Sequence, residues 1–172
     1  MPMCNKWNSQ SKFKNMATAT KTGYCNGSDM LLYIGGKAVG HCTTHTTTVT
    51  SETKDRAVKP VASKPISAGL WKNKGVVGLS VSISADGLVF YQETESGYKS
   101  CLALISKGQS VEVKCMEREN ADKPYLSGKF VIASLERTDA AQDDSTYSIS
   151  LENDGEVSLD DSALTETADA ED

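Results

Sequence analysis

Apolar residues recur mostly at every second position in this chain, the period of a half-buried strand. The stretch VVGLSVSIS (76–84) puts Val77, Leu79, Val81 and Ile83 on one face and Gly78, Ser80, Ser82 and Ser84 on the other. GKFVIASLERT (128–138) and STYSISLEND (145–154) alternate too, the first with Phe130, Ile132 and Ser134 on one face, the second with Tyr147, Ile149 and Leu151. DAAQDD between them is a polar turn, and SVEVKCMER (110–118) is a further strand. DMLLYIGG (29–36) predicts a short apolar strand, and KAVGHCTTHTTTVT (37–50) its hairpin partner, with the bend at Gly35-Gly36.

Two stretches break the period of two. In SGYKSCLALISKGQ (96–109), Tyr98, Cys101, Leu102 and Ile105 fall at helical spacing. Ser96 is placed to cap the start, Lys107 sits in the last turn and Gly108 follows it. From Ser51 to Gly75 no period is visible. That segment reads as a long loop after the second strand, with Lys54, Arg56, Lys59, Lys64, Lys72 and Lys74 set against Glu52 and Asp55. Loops of that length in a small domain are commonly functional. Its one large aromatic, Trp71, is of the type that anchors protein interfaces. Six or so strands with one helix predict a mainly β protein, a barrel or sandwich with one flanking helix.

Composition adds boundaries. The 172 residues suit one domain with a sizeable core. No apolar run approaches the ~20 residues that cross a bilayer as a helix. Residues 1–28 read as a basic, Asn/Ser/Thr-rich arm, within which 1–15 has the look of an upstream extension before Met16. Residues 29–159 are expected to form the β domain. The net charge of −5 is unevenly spread: all 18 Lys and Arg lie at or before Arg137 with 11 acidic residues, and 12 acidic residues follow with no base. Residues 160–172, DDSALTETADAED, are expected to be an acidic disordered tail. Five cysteines without a CxxC pair fit reduced, mostly buried thiols rather than a disulfide framework.

Candidate chemistry is sparse. Both histidines, His41 and His45, lie in GHCTTHTTTVTSE (40–52) around Cys42. The threonines there are β-branched and favour a strand. On a strand the two imidazoles sit roughly 13 Å apart along the chain, too far for easy chelation of one zinc at about 2 Å from each nitrogen. No GxSxG elbow, GxGxxG or GxxxxGK[ST] phosphate loop occurs, and the carboxylates cluster toward the tail. The chain is therefore expected to be no enzyme, with no metal and no cofactor. Six positive charges in the 51–75 segment suit phosphates or another subunit. With aromatics at 6% and not interleaved, a base-stacking platform is not expected.

In order and spacing the chain resembles the major tail proteins, or tail tube proteins, of long-tailed bacteriophages. The resemblance lies in GSDMLLYIGGKAVGHCTTHTTTVTSETKDR, in GVVGLSVSISADGLV, in the helix region and in GKFVIASLERTDAAQDDSTYSISLENDGEV, together about residues 26–159. It implies a non-enzymatic virion protein with a barrel-like tail-tube fold, assembled in the host bacterial cytoplasm into the tail. Its rings, usually hexameric, stack into a tube through which DNA enters the host. The partners implied are further copies of itself, the tape-measure, tail terminator and baseplate or distal tail proteins, and transiently passing DNA, without a membrane. The resemblance makes Ser51–Gly75 an inter-ring loop, with Lys54, Arg56, Lys59, Lys64, Trp71, Lys72 and Lys74 as contacts. An acidic lumen would let DNA slide, and Glu112, Glu117 and Glu119 are candidate lumen carboxylates. Two other readings are the inner tube of a contractile tail or injection system and a monomeric β-sandwich ligand-binding module.

Overall fold

The alternating and Thr-rich stretches become strand almost throughout. The computed structural model describes residues 23–56, 72–91, 94–118 and 123–160. Its elements are β1 (Met30–Ile34), β2 (Lys37–Ala38), β3 (Cys42–Arg56), β4 (Asn73–Leu88), α1 (Tyr98–Lys107), β5 (Val111–Glu117), β6 (Leu126–Thr138) and β7 (Thr146–Leu159). All seven strands lie in one antiparallel sheet of order β2-β1-β5-β6-β7-β4-β3.

The sheet's two ends, β2 and β3, are neighbours in sequence, separated only by Val39, Gly40 and His41. So short a link forces the sheet to curl until its ends approach. Val39 N–H donates to the Leu32 carbonyl at one end (2.8 Å), and Leu88 N–H donates to the His41 carbonyl at the other (3.0 Å). His41 takes a positive φ of 54° where the chain changes ends, a conformation uncommon outside glycine. Between the facing edges of β1 and β3 a cleft of about 930 Å³ remains, lined by Met30, Leu31, Cys42, Thr44, His45 and Tyr125 among others.

The core fills the inside of the curl. Ile34 and Leu32 come from β1, Val81, Ile83 and Ala85 from β4, Val113 and Cys115 from β5, Phe130 from β6, and Tyr147, Ile149 and Leu151 from β7. Burying a side chain of this size contributes about 1.5–3 kcal/mol. Phe130, fully buried, sits where β6 passes from its pairing with β5 to its long pairing with β7 alone. Gly87 is buried opposite Tyr147, and a Cβ there would lie 2.8 Å from the ring. Only glycine lets those two strands pair with that ring between them.

Several expectations hold and several shift. The Gly35-Gly36 bend is real, with φ of 61° and 80°, the positive pair that a tight hairpin turn demands. Its second arm, however, pairs with β1 only at Lys37 and Ala38 before the chain crosses to β4. The helix ends at Gly108 in the left-handed region, but Ser96 does not cap its start. Ser96 is buried, and its backbone is spent on Ala38 and Gly40 (2.8 Å each), so Gly97 occupies the cap position without a side-chain bond. Tyr98, Cys101 and Leu104 pack on the core, whereas Leu102 stays 48% exposed; the helix is rotated one residue from the predicted stripe. The Arg137 guanidinium lies 5.4 Å from the Tyr98 ring centre, and Tyr98 leans on Tyr147 at 6.4 Å, tying α1 to the sheet. A bulge between Ile132 and Ser134 leaves Ser134 exposed and brings Leu135 onto the core.

Candidate assembly surfaces

Pairing lengths decide which parts of the sheet are left uncovered. β3 and β4 stay paired from Cys42↔Gly87 to Arg56↔Asn73, whereas β7 pairs with β4 only between Ser82 and Leu88. Beyond that point β3 and β4 run on as a two-stranded ribbon. Between Glu52 and Thr53 the register slips past Val77, a bulge that sharpens the local twist. The ribbon carries four exposed apolar side chains, Val49, Val76, Val77 and Leu79, between 50% and 70% exposed. Two strands alone are marginally stable in water, and clustered exposed apolar groups on such a ribbon mark a contact surface.

The Ser51–Gly75 segment is thus not a loop at its flanks. Ser51–Arg56 belong to β3 and Asn73–Gly75 to β4, so Lys54, Arg56 and Lys74 stand on strands and Lys72 immediately before one. Alternation was hidden there because both faces of a protruding ribbon meet solvent. Lys72 pairs with Asp55 at 3.6 Å, both exposed, a bridge of little energetic weight. Lys59, Lys64 and Trp71 lie outside the described residues.

Two strand margins are also open. β3 pairs with β4 on one side and with no strand on the other among the described residues. β6 pairs with β5 only from Leu126 to Phe130, so from Val131 to Thr138 it has β7 on one side and, among the described residues, no strand on the other. Open margins of that length are normally blunted in monomers.

The carboxylates singled out by sequence do not gather. Glu112 on β5 is held by Lys114 at 3.0 Å and stands across from Lys129. Glu117, half-buried, pairs across to Met30 at the far end of β5, and Glu119 lies outside the described residues. Nor do the histidines gather. His41 stacks on Phe90 with ring centres 4.6 Å apart, on the crossover rather than in a strand. His45, on β3, is half-buried with Nε2 3.5 Å from the Tyr125 hydroxyl. Burial holds the His45 pKa below its ordinary value. Among the described residues no group of three His, Cys, Asp or Glu is placed to hold a metal ion.

Sequence gave no warning of a small polar group inside the barrel. The Cys115 thiol lies against the hydroxyls of Tyr125 and Thr47; burial pushes it up to about 11 despite those contacts. Burial, then the neighbouring Cys115, raise Tyr125 as well. Both groups are neutral at ordinary pH, and they make structure rather than a reactive pair. Of the described cysteines, Cys101 and Cys115 are buried, Cys42 is half-buried and Cys25 is exposed. A positional signal for Cys115 did exist, since it alternates with Val111 and Val113 on β5.

Open margins and a protruding apolar ribbon are features of a chain that meets other copies or partners. The family described as phage tail tube protein matches residues 24–159. This chain belongs to that family. The tail tube protein is accordingly a structural, non-enzymatic component of the virion tail. Its fold is similar to a chain of the virion of a native gene transfer agent particle, at 18% identity over 79% of this chain and 98% of that one, TM-score 0.64. It is equally similar to the tail of an empty gene transfer agent particle of C6 symmetry, at 19% identity, 79% and 98% coverage and TM-score 0.64. The SPP1 tail tube shares the fold at 14% identity, 86% and 89% coverage and TM-score 0.55. A chain of an extracellular contractile injection system, from its sheath/tube terminator in the extended state, does so at 12% identity, 80% and 99% coverage and TM-score 0.53. No significant match is found among curated proteins. No helix of the described residues is long and apolar enough to cross a membrane.

Proposed function

We propose that this tail tube protein closes into rings by pairing the open margin of β3 with residues 131–138 of β6 in the next copy, and that its β3–β4 ribbon reaches onto the adjoining ring. The observation that carries this reading is the layout of β3-β4-β7-β6. These four strands are consecutive neighbours in the sheet, alternate in direction and are open at both outer margins. Since β3 and β6 run in opposite directions, copies placed side by side in the same orientation meet antiparallel at every junction. That contact is heterologous, and it closes when the rotation between copies divides a full turn. Six copies per ring is the number we adopt, supported by the C6 symmetry of the similar gene transfer agent tail.

Stacking by the ribbon gives Lys54, Arg56, Lys72 and Lys74 a task at the ring-to-ring contact, along with Val49, Val76, Val77 and Leu79. In this reading Lys59, Lys64 and Trp71 belong to the same contact. The stacked tube conducts phage DNA. It is built around a tape-measure protein, closed by a terminator and joined to the baseplate or distal tail.

Negative-stain microscopy of the purified protein, alone and with tail-tip complexes as initiators, is the direct test. Rings and tubes are expected. Deleting residues 53–76, which shortens the ribbon to the Glu52↔Gly78 pair, should leave rings without tubes. Persistent tubes from that variant would refute the ribbon assignment. Monomers alone, even with initiators present, would overturn the whole reading.

A further inference from the structure

We infer that the end of the barrel opposite the ribbon carries a receiving pocket for a cationic side chain, and that its occupant is the Arg56 guanidinium of a copy in the adjoining ring. This rests on the stacking proposed above and supplies the other half of that contact, which the ribbon alone does not specify.

The pocket has a volume of about 160 Å³, and Gly40, His41, Leu88, Phe90 and Glu95 are among the residues that line it. One wall is aromatic. His41, at its positive φ of 54°, lays its ring on Phe90 with centres 4.6 Å apart and planes 28° apart. Phe90 is nonetheless 47% exposed, and Tyr91 beside it meets solvent almost entirely. The Glu95 carboxylate rests against Gly40, where any Cβ would collide with Oε2. Gly40 is fixed by its own N–H, which donates to the Ser96 carbonyl at 2.8 Å. Among the described residues no cation bridges Glu95. Bases at this end are engaged elsewhere, Lys99 with the Tyr91 carbonyl (3.0 Å) and Arg137 with Asp139 (2.8 Å). A half-exposed ring face beside an unpaired carboxylate suits a guanidinium, which stacks on the ring and donates to the carboxylate at once.

β3 and β4 decide where that guanidinium comes from. Their Cys42↔Gly87 pair lies beside the pocket and their Arg56↔Asn73 pair at the far end. The 15 residues of β3, at about 3.3 Å each, set those ends roughly 45–50 Å apart along the strand. Copies stacked in one orientation therefore bring the ribbon end of one to the pocket end of the next. The charges match. On the ribbon, Lys72 is taken by Asp55, whereas Lys54, Arg56 and Lys74 have no bridging carboxylate among the described residues. Beside the pocket, the turn from β6 to β7 carries Asp139, Asp143 and Asp144, and its Ser145 carbonyl accepts from the Val89 N–H at 2.8 Å. Arg56 is the one arginine between residues 51 and 75, and it alone there offers a planar cation to the aromatic wall. Exposed Val76 and Val77 find apolar company in Leu88 and Tyr91. Phosphate or an acidic peptide is refused by the same carboxylates. With one donating and one receiving end per subunit, the stack keeps a single direction.

Charge exchange tests the pair. Arg56→Glu and Glu95→Arg should each raise the protein concentration at which tubes begin to grow by roughly tenfold, read by sedimentation. Both changes in one chain should bring that threshold most of the way back, which two independent defects would not do. Urea unfolding of the unassembled subunits should stay near that of the unaltered protein, and a threshold that rises only with lost stability would overturn the pairing. A cross-link supplies the location. Subunits bearing Arg56→Cys, mixed and assembled with others bearing Glu95→Cys, should be joined through those two positions by a short bismaleimide, identified from the linked peptides. The link should form in tubes and not in free subunits or in rings collected below the tube threshold. A link already present in single rings would place the pocket inside the ring, and no link in tubes would leave it without this occupant. Either result overturns the inference while stacking by the ribbon stands, as would unaltered thresholds in both charge variants. Unaltered protein that builds no tubes even on tail-tip complexes would bring down stacking and pocket together.

Discussion

Leu79 offers a quantitative handle on stacking. It continues the core face of β4 outward past Val81, beyond the last β7 pair, and 70% of its surface meets solvent. Full burial of a leucine is worth about 1.5–3 kcal/mol, so the exposed share leaves about 1–2 kcal/mol to be gained when a neighbouring ring covers it. Leu79→Thr keeps a strand-forming residue and removes most of that apolar surface. Tube growth should then begin at roughly 5–30-fold higher protein concentration, the factor that 1–2 kcal/mol represents. The assay is sedimentation or light scattering across a dilution series, with urea unfolding of the unassembled subunit alongside. Because only the smaller share of Leu79 is buried within its own subunit, unfolding free energy should move by no more than about 1 kcal/mol. Replacing Val49, Val76, Val77 and Leu79 together by Thr should extinguish tubes and leave the subunit folded. An unchanged threshold in both variants, or a threshold that rises only as far as the subunit loses stability, would refute the claim that this patch is reserved for another copy.

Three further outcomes follow from the interior. Gly87→Ala pushes a methyl against the Tyr147 ring, 2.8 Å away, and should cost about 1–3 kcal/mol in urea unfolding as overpacking; Gly87→Ala combined with Tyr147→Leu should recover part of that loss. Stability should be complete above the ordinary histidine value of 6.5 and decline as pH falls from there toward the lower folded pKa of His45, because the unfolded chain binds a proton that the folded one disfavours; unfolding curves of His45→Gln should lack that component, and identical slopes would show that another group is responsible. With the Cys115 thiol at about 11 against an ordinary 9.0, its thiolate fraction at neutral pH is roughly a hundredfold below that of an ordinary thiol, so mass-spectrometric alkylation should mark Cys25 long before Cys115, and Tyr125→Phe should change that order little, because burial is the main cause.

Much of the fold was legible because its strands are buried on one face only. Val81, Ile83, Tyr147, Ile149 and Leu151 announce themselves by alternation, and all are core. The Gly35-Gly36 bend announces itself by chemistry, since few residues other than glycine take φ > 0 twice running. What stayed hidden was long-range. Nothing in KAVGHC tells the chain to leave β1 after Ala38 and join β4, since that choice is made by the other end of the sheet. Ser96 reads as a cap locally and is diverted by backbone bonds to residues nearly sixty positions upstream. The ribbon was missed because Thr, Glu, Lys and Asp on both faces look like a loop until a partner strand of equal length is found. The carboxylates Glu112 and Glu117 drew notice as acidic residues on a strand, but charge along one strand says little about its cross-strand neighbours. Lys114 and Lys129 change the meaning of Glu112, and only register reveals them.

The cleft between β1 and β3 has a mechanical consequence. A barrel hydrogen-bonded all the way round resists ovalisation, since any change of cross-section must stretch a ladder. This one is left unzipped along a single seam and hinged at Val39–His41, so its cross-section can flatten or open without breaking a rung. Stacked as proposed, such units would have a seam inside each subunit at which curvature could be taken up without a change of register at the junctions between copies.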